Sequence, residues 1–92
     1  MIIRRSTARV RDGMMTEFRE FIAAGTAEFR ELDGFLGDEI VVGPGTLTYV
    51  SRWRDEAALA AYAGPGWRTE PVVRADEDRY LTQPLRVTHE FP

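Results

Sequence analysis

Four side chains are the candidates to take a proton or to hold a developing negative charge in a reaction: Trp53, Tyr49, Tyr62 and His89. His89 is the only histidine, and histidine is the side chain whose ordinary pKa suits proton abstraction near neutrality. Tyr49, Tyr62 and Tyr80 each carry a hydroxyl that could donate a hydrogen bond to an oxyanion. Trp53 ends the alternation Leu47, Tyr49, Ser51, Trp53, just before a helix start at Asp55-Glu56-Ala57. A tryptophan at such a junction either lines a pocket between sheet and helix or packs the sheet edge. The same two readings hold for Tyr49, Tyr62 and His89, the last sharing an apolar strand face with Leu85, Val87 and Phe91.

Three further aromatics are candidate substrate contacts. Trp67 follows Gly64-Pro65-Gly66 and reads either as a lid residue over a pocket or as the anchor that ties this loop down. Phe18 and Phe21 belong to the apolar face of the first helix. Arg52 and Arg54 alternate away from Trp53, towards an interface or solvent, and Asp76-Glu77-Asp78 reads as a solvated acidic loop. A single histidine without cysteine leads us to expect no metal site. Nothing matches a serine triad, a phosphate-binding glycine loop or a paired-carboxylate glycosidase.

Composition narrows the partners. The 92 residues are expected to form one domain, with 43% hydrophobic and 29% charged residues as in ordinary globular protein. A net charge of -3 gives no electrostatic footprint for nucleic acid or an anionic membrane surface. All 12 basic residues are arginine, and lysine and asparagine are absent. No apolar stretch reaches the length of a bilayer span, and Met1-Ile2-Ile3-Arg4-Arg5 does not read as a signal peptide. A soluble, cytoplasmic protein is expected.

The elements that must position these residues follow from periodicity. Ile2 to Val10 reads as a strand, and Asp12 as a helix N-cap after it. Met14, Phe18, Phe21, Ile22, Gly25, Phe29 and Leu32 recur at helical spacing, and Gly34 suits the left-handed stop. Leu36 to Val42 and Thr46 to Trp53 form a hairpin across Gly43-Pro44-Gly45. Asp55 to Ala63 is a second helix capped by Asp55, closed by Gly64-Pro65-Gly66. From Trp67 to Asp78 we expect a loop with a short helical turn. The last strand spans about Arg79 to Phe91 and is interrupted at Pro84.

This βαββαβ order predicts an α+β, ferredoxin-like domain over residues 1–92, with a four-stranded antiparallel sheet and both helices on one face. The run Ile40-Val41-Val42 places apolar residues on both sheet faces, which points to a covered second face. A second copy of the same sheet is the simplest cover, so a homodimer through the open sheet face is expected.

The element order, the turn Asp33-Gly34-Phe35-Leu36-Gly37 and the junction Ser51-Arg52-Trp53-Arg54-Asp55-Glu56-Ala57 resemble the antibiotic biosynthesis monooxygenase (ABM) family, of the dimeric α+β barrel superfamily. The resemblance implies two sheets closing into a barrel, with a pocket between sheet and helices in each subunit. In the quinone-forming members, oxygen attacks a deprotonated phenol or anthrone without metal, flavin or haem. It therefore implies no cofactor, a small aromatic substrate with O2 as co-substrate, and Trp53 at the family tryptophan. A haem-degrading branch pairs that tryptophan with a first-strand asparagine and a second-helix histidine. This chain has no asparagine and no histidine between Ala57 and Arg74, so that chemistry is not expected. The rival to an oxygenase is a non-catalytic, ligand-binding or stress-associated dimer in which the same residues only pack.

Overall fold

The computed structural model describes residues 1–92. Strand β1 (Ile2–Arg9) leads to helix α1 (Met15–Thr26), which tightens into a 3-10 turn over Ala27–Glu31. Strands β2 (Phe35–Gly43) and β3 (Thr46–Trp53) precede helix α2 (Glu56–Ala63). A long connection carries a second 3-10 turn, Glu77–Tyr80, before strand β4 (Arg86–Glu90). The sheet order is β2-β3-β1-β4, with every neighbour antiparallel. This is the ferredoxin-like arrangement.

Strand alternation divides the sheet into two faces. Ile2, Arg4, Ser6 and Ala8 of β1 pair with Trp53, Ser51, Tyr49 and Leu47 of β3, and all turn towards the helices. Phe18 and Ile22, four residues apart on α1, meet Ala8, Leu47 and Tyr49. Ile2, Trp53, Ala58, Leu59 and Trp67 form a second cluster, with Phe35 and Tyr62 packed against both.

The two stretches that carry the family resemblance meet in space. Gly34 has φ +83, and its carbonyl accepts the Arg54 N–H at 2.8 Å. The Arg54 guanidinium grips both carboxylate oxygens of Asp33 at 3.2 Å. Next along the chain, Asp55 Oδ1 accepts the Ala58 N–H at 2.9 Å and caps α2 as expected.

Two boundaries differ from the sequence expectation. Asp12 does not cap α1: Met14 N–H closes on Arg11 C=O at 3.1 Å, and Gly13 takes φ +79. That turn uses up Asp12, so Met14 begins the helix without a side-chain cap. The last strand is shorter than Arg79–Phe91, because Arg79 and Tyr80 join the 3-10 turn. Leu81 forms one isolated bridge to Val10, and pairing resumes only at Arg86, past Pro84, which has no N–H to give. The run Ile40-Val41-Val42 places apolar residues on both sheet faces, as expected. Ile40 packs on the core, whereas Val41 and Val42 remain exposed. Around Val41 the open face is largely polar, carrying the Arg5–Glu90 and Arg52–Glu39 ion pairs and a Thr7–Thr48 hydroxyl contact.

No helix is long and apolar enough to cross a membrane.

Candidate functional site

A cavity of about 30 Å³ (the space open to a water molecule's centre) lies between the helix side of the sheet, α1, α2 and the α2–β4 connection. That is room for about two waters. Phe18, Ile22, Ala8 and Leu47 supply apolar wall. Against it stand Arg4, Ser51, Tyr49, Tyr62, Arg74 and Glu77, a dense set of polar and ionisable groups for so small a space.

Arg4 comes inward because β1 alternates, and it is 3% exposed. Its Nη1 donates to the Trp67 carbonyl at 2.6 Å and to His89 Nε2 at 2.9 Å, and its Nη2 donates to the Glu70 carbonyl at 3.1 Å. No carboxylate pairs with it. Burial lowers its pKa, with the nearby Tyr62 acting the other way, and a guanidinium stays charged regardless.

Glu77 corrects the expected solvated acidic loop. Asp76 and Asp78 are exposed, but Glu77 is 2% exposed and faces the cavity. Asp76 at φ +68 opens the 3-10 turn and aims the next residue inward. Glu77 Oε1 accepts the Arg74 N–H at 3.2 Å. Burial raises its pKa, partly offset by that hydrogen bond and by the Arg74 charge. A carboxyl tuned upward beside a cavity is a candidate proton acceptor.

Tyr49 and Tyr62 both reach the cavity. The Tyr49 hydroxyl donates to Asp38 Oδ2 at 2.8 Å, and burial, then Asp38, pushes its pKa up. A phenol so engaged serves as a fixed wall. Burial raises the Tyr62 pKa too, while the charges of Arg4 and Arg74 pull it down.

Trp53 sits one layer behind. It is fully buried, outside the cavity lining, and supports two residues that do line it. Its Nε1 donates to Ser51 Oγ at 2.9 Å, and its ring stacks on Tyr62 at 4.9 Å with 13° between planes. His89 likewise reaches the cavity only through Arg4. Burial, then Arg4 and Arg68, lowers its pKa and keeps it neutral. Trp67 is buried against Ile2, Trp53 and Leu59, with its edge on His89 at 5.0 Å. Of its two sequence readings, this placement is that of the loop anchor. Phe18 lines the cavity and Phe21 does not, although the two rings stack and both pack on Tyr80, at 5.3 and 5.2 Å.

Sequence reasoning singled out neither Arg4, Arg74 nor Glu77. The alternation of β1 could have marked Arg4 as inward-facing. Nothing local marks Arg74 or Glu77, which arrive through an irregular loop.

Residues 1–66 match the family described as "Antibiotic biosynthesis monooxygenase". The chain belongs to that family. No curated protein matches the ABM chain, but solved structures do. Rv0793 from Mycobacterium tuberculosis superposes with a TM-score of 0.77 at 22% identity, covering 99% of this chain and 93% of that one. The monooxygenase from the gene ActVA-Orf6 of Streptomyces coelicolor, in complex with nanaomycin D, gives 0.72 at 20% identity, covering 99% and 86%. The heme-degrading protein Rv3592 of M. tuberculosis gives 0.67 at 17%, covering 97% and 87%. At such identities these likenesses establish a shared fold. Within the ABM chain, Arg4, Tyr49, Ser51, Trp53 and Tyr62 lie in the matched segment, whereas Arg74, Glu77 and His89 lie beyond it.

Proposed function

We propose that this ABM chain is a cofactor-independent monooxygenase of a phenolic or quinol-type small molecule, acting in the cytoplasm as a homodimer joined through the open sheet face. The observation that carries this reading is Glu77, a buried carboxyl with a raised pKa, facing the same cavity as Arg4 and Tyr62. The nanaomycin D complex of the S. coelicolor monooxygenase supports an organic ligand of that kind here.

In the proposed reaction, Glu77 as carboxylate removes a proton from an anthrone-like CH2, and the electron pair stays on the substrate carbon. That carbanion forms a C–O bond with dioxygen. The resulting peroxide anion takes up a proton, and loss of the remaining C–H proton with O–O cleavage releases water and leaves a carbonyl. The substrate supplies all four electrons, so oxygen is the only oxidant needed. Arg4 and the Tyr62 hydroxyl stabilise the negative charge, while Trp53 holds Tyr62 and Ser51 in place. His89 is a positioning residue for Arg4.

An aromatic ring exceeds the present cavity, so entry requires the Gly64–Asp76 connection to move and carry Val72 and Arg74 with it. The small volume also favours a second reading, a non-catalytic binding dimer. Oxygen uptake with anthrones and hydroquinones separates the two. Glu77→Gln is expected to lower the rate by about 10²-fold or more. A wild-type rate equal to the uncatalysed one would leave the binding dimer. Light scattering that shows a monomer at micromolar concentration would remove the dimer.

A further inference from the structure

The charges around the cavity do not balance. Six of the twelve arginines (Arg5, Arg30, Arg52, Arg54, Arg68 and Arg79) are paired with carboxylates. Of the other six, Arg9, Arg11, Arg19 and Arg86 are exposed, where water solvates them. Only Arg4 and Arg74 are both unpaired and withdrawn from solvent, and both line the cavity.

Their settings are built, not incidental. Arg4 spends three of its five N–H donors on neutral acceptors, which leaves two free. Arg74 lies over the Phe29 ring at 5.3 Å and presses against α1 at Gly25. A Cβ on Gly25 would come within 2.7 Å of the Arg74 guanidinium, so the glycine makes the room that this arginine occupies. One buried and one half-buried cation face one carboxyl, Glu77, whose ionised form is itself disfavoured by burial. A site left one negative charge short, or two when Glu77 is protonated, is completed by a ligand that brings one.

We infer that Arg4 and Arg74 select a substrate carrying a full negative charge, such as a ring carboxylate, beside the phenolic group that reacts. This deepens the proposed function and rests on this cavity being the substrate site. A neutral phenol leaves the site at least one negative charge short. The carboxylate form neutralises one guanidinium and orients the ring towards Tyr62 and Glu77.

The test is anaerobic calorimetric titration with a matched pair: 2,5-dihydroxybenzoate, an anion, and benzene-1,4-diol, its neutral counterpart. The intact protein is expected to bind the benzoate at least 10-fold more tightly. Arg74→Gln, at a half-buried position, is expected to shrink that ratio to about twofold, and Arg4→Gln to do the same where it folds. Equal or tighter binding of the neutral diol overturns the inference, as does no binding of either, or a preference that survives Arg74→Gln. Because oxygen is absent, the result is independent of turnover. A charge preference without oxygen uptake sinks the monooxygenase reading alone, and oxygen uptake without a charge preference sinks this inference alone.

Discussion

The Arg4 guanidinium donates a 2.9 Å hydrogen bond to His89 Nε2, joining neighbouring residues of β1 and β4 on the sheet face that bears the cavity. An arginine has no lone pair to accept with, so Nε2 must be the acceptor and the imidazole is neutral with its proton on Nδ1. The one histidine of the chain is thereby committed to orienting a cation, and it is unavailable at Nε2 as a base.

This pairing sets a pH dependence of stability. The His89 pKa is lowered by burial and by the facing charges of Arg4 and Arg68, so below about pH 6.5 the unfolded chain takes up a proton that the native state resists. Stability conferred by the neutral ring is present above that value and falls as pH drops through it. The raised pKa of Glu77 acts oppositely, weakening the fold as pH rises above the ordinary carboxylate range. Urea midpoints measured from pH 7.5 to 5.5 should therefore fall less steeply in His89→Gln than in the wild type. Identical slopes would show that His89 is not held neutral.

If Glu77 is the base of the proposed reaction, it sets the acid limb of the pH–rate profile. As a base it must be ionised, and its pKa is raised, so activity should fall away with decreasing pH already above the usual glutamate value of about 4.3. In Glu77→Gln the residual rate should lose that limb. A limb of unchanged position in the variant would assign proton removal to another group.

Trp53→Phe tests a supporting role. The change empties part of a fully buried site, removes the stack on Tyr62 and leaves Ser51 Oγ without its donor. We expect a loss of about 2 kcal/mol, read as a melting temperature lower by about 10 °C. A variant as stable as the wild type would mean the indole is not packed as described.

Gly34→Ala tests the contact between the two family stretches. The residue has φ +83, and an added Cβ would collide with the Ala58 methyl on α2. The expected loss is about 3 kcal/mol, combining left-handed strain with overpacking. Gly13 has a similar φ of +79 but open space beside it, so Gly13→Ala should cost only about 1 kcal/mol. Equal losses in thermal melts would leave strain as the sole cause.

What the sequence determined by itself is whatever depends on near neighbours in the chain. The inward face of β3, the left-handed Gly34, the Asp55 cap and the break at Pro84 were all legible, because period-two alternation, a missing Cβ, a capping oxygen and an absent N–H act within a few residues. Asp12 misled because a tight turn and a helix cap draw on the same residue types, and only the Arg11–Met14 closure decides between them. Tertiary structure alone decided the site. Trp53, the most conspicuous residue of the sequence, became a support behind Tyr62 and Ser51. Glu77, hidden in an acidic run, was turned inward by an irregular loop and shielded from water. Arg4 and Arg74, seventy residues apart, came to share one cavity. Burial and the pairing of charges are properties of assembled surfaces, and no local pattern of residues encodes which arginine will be left without a partner.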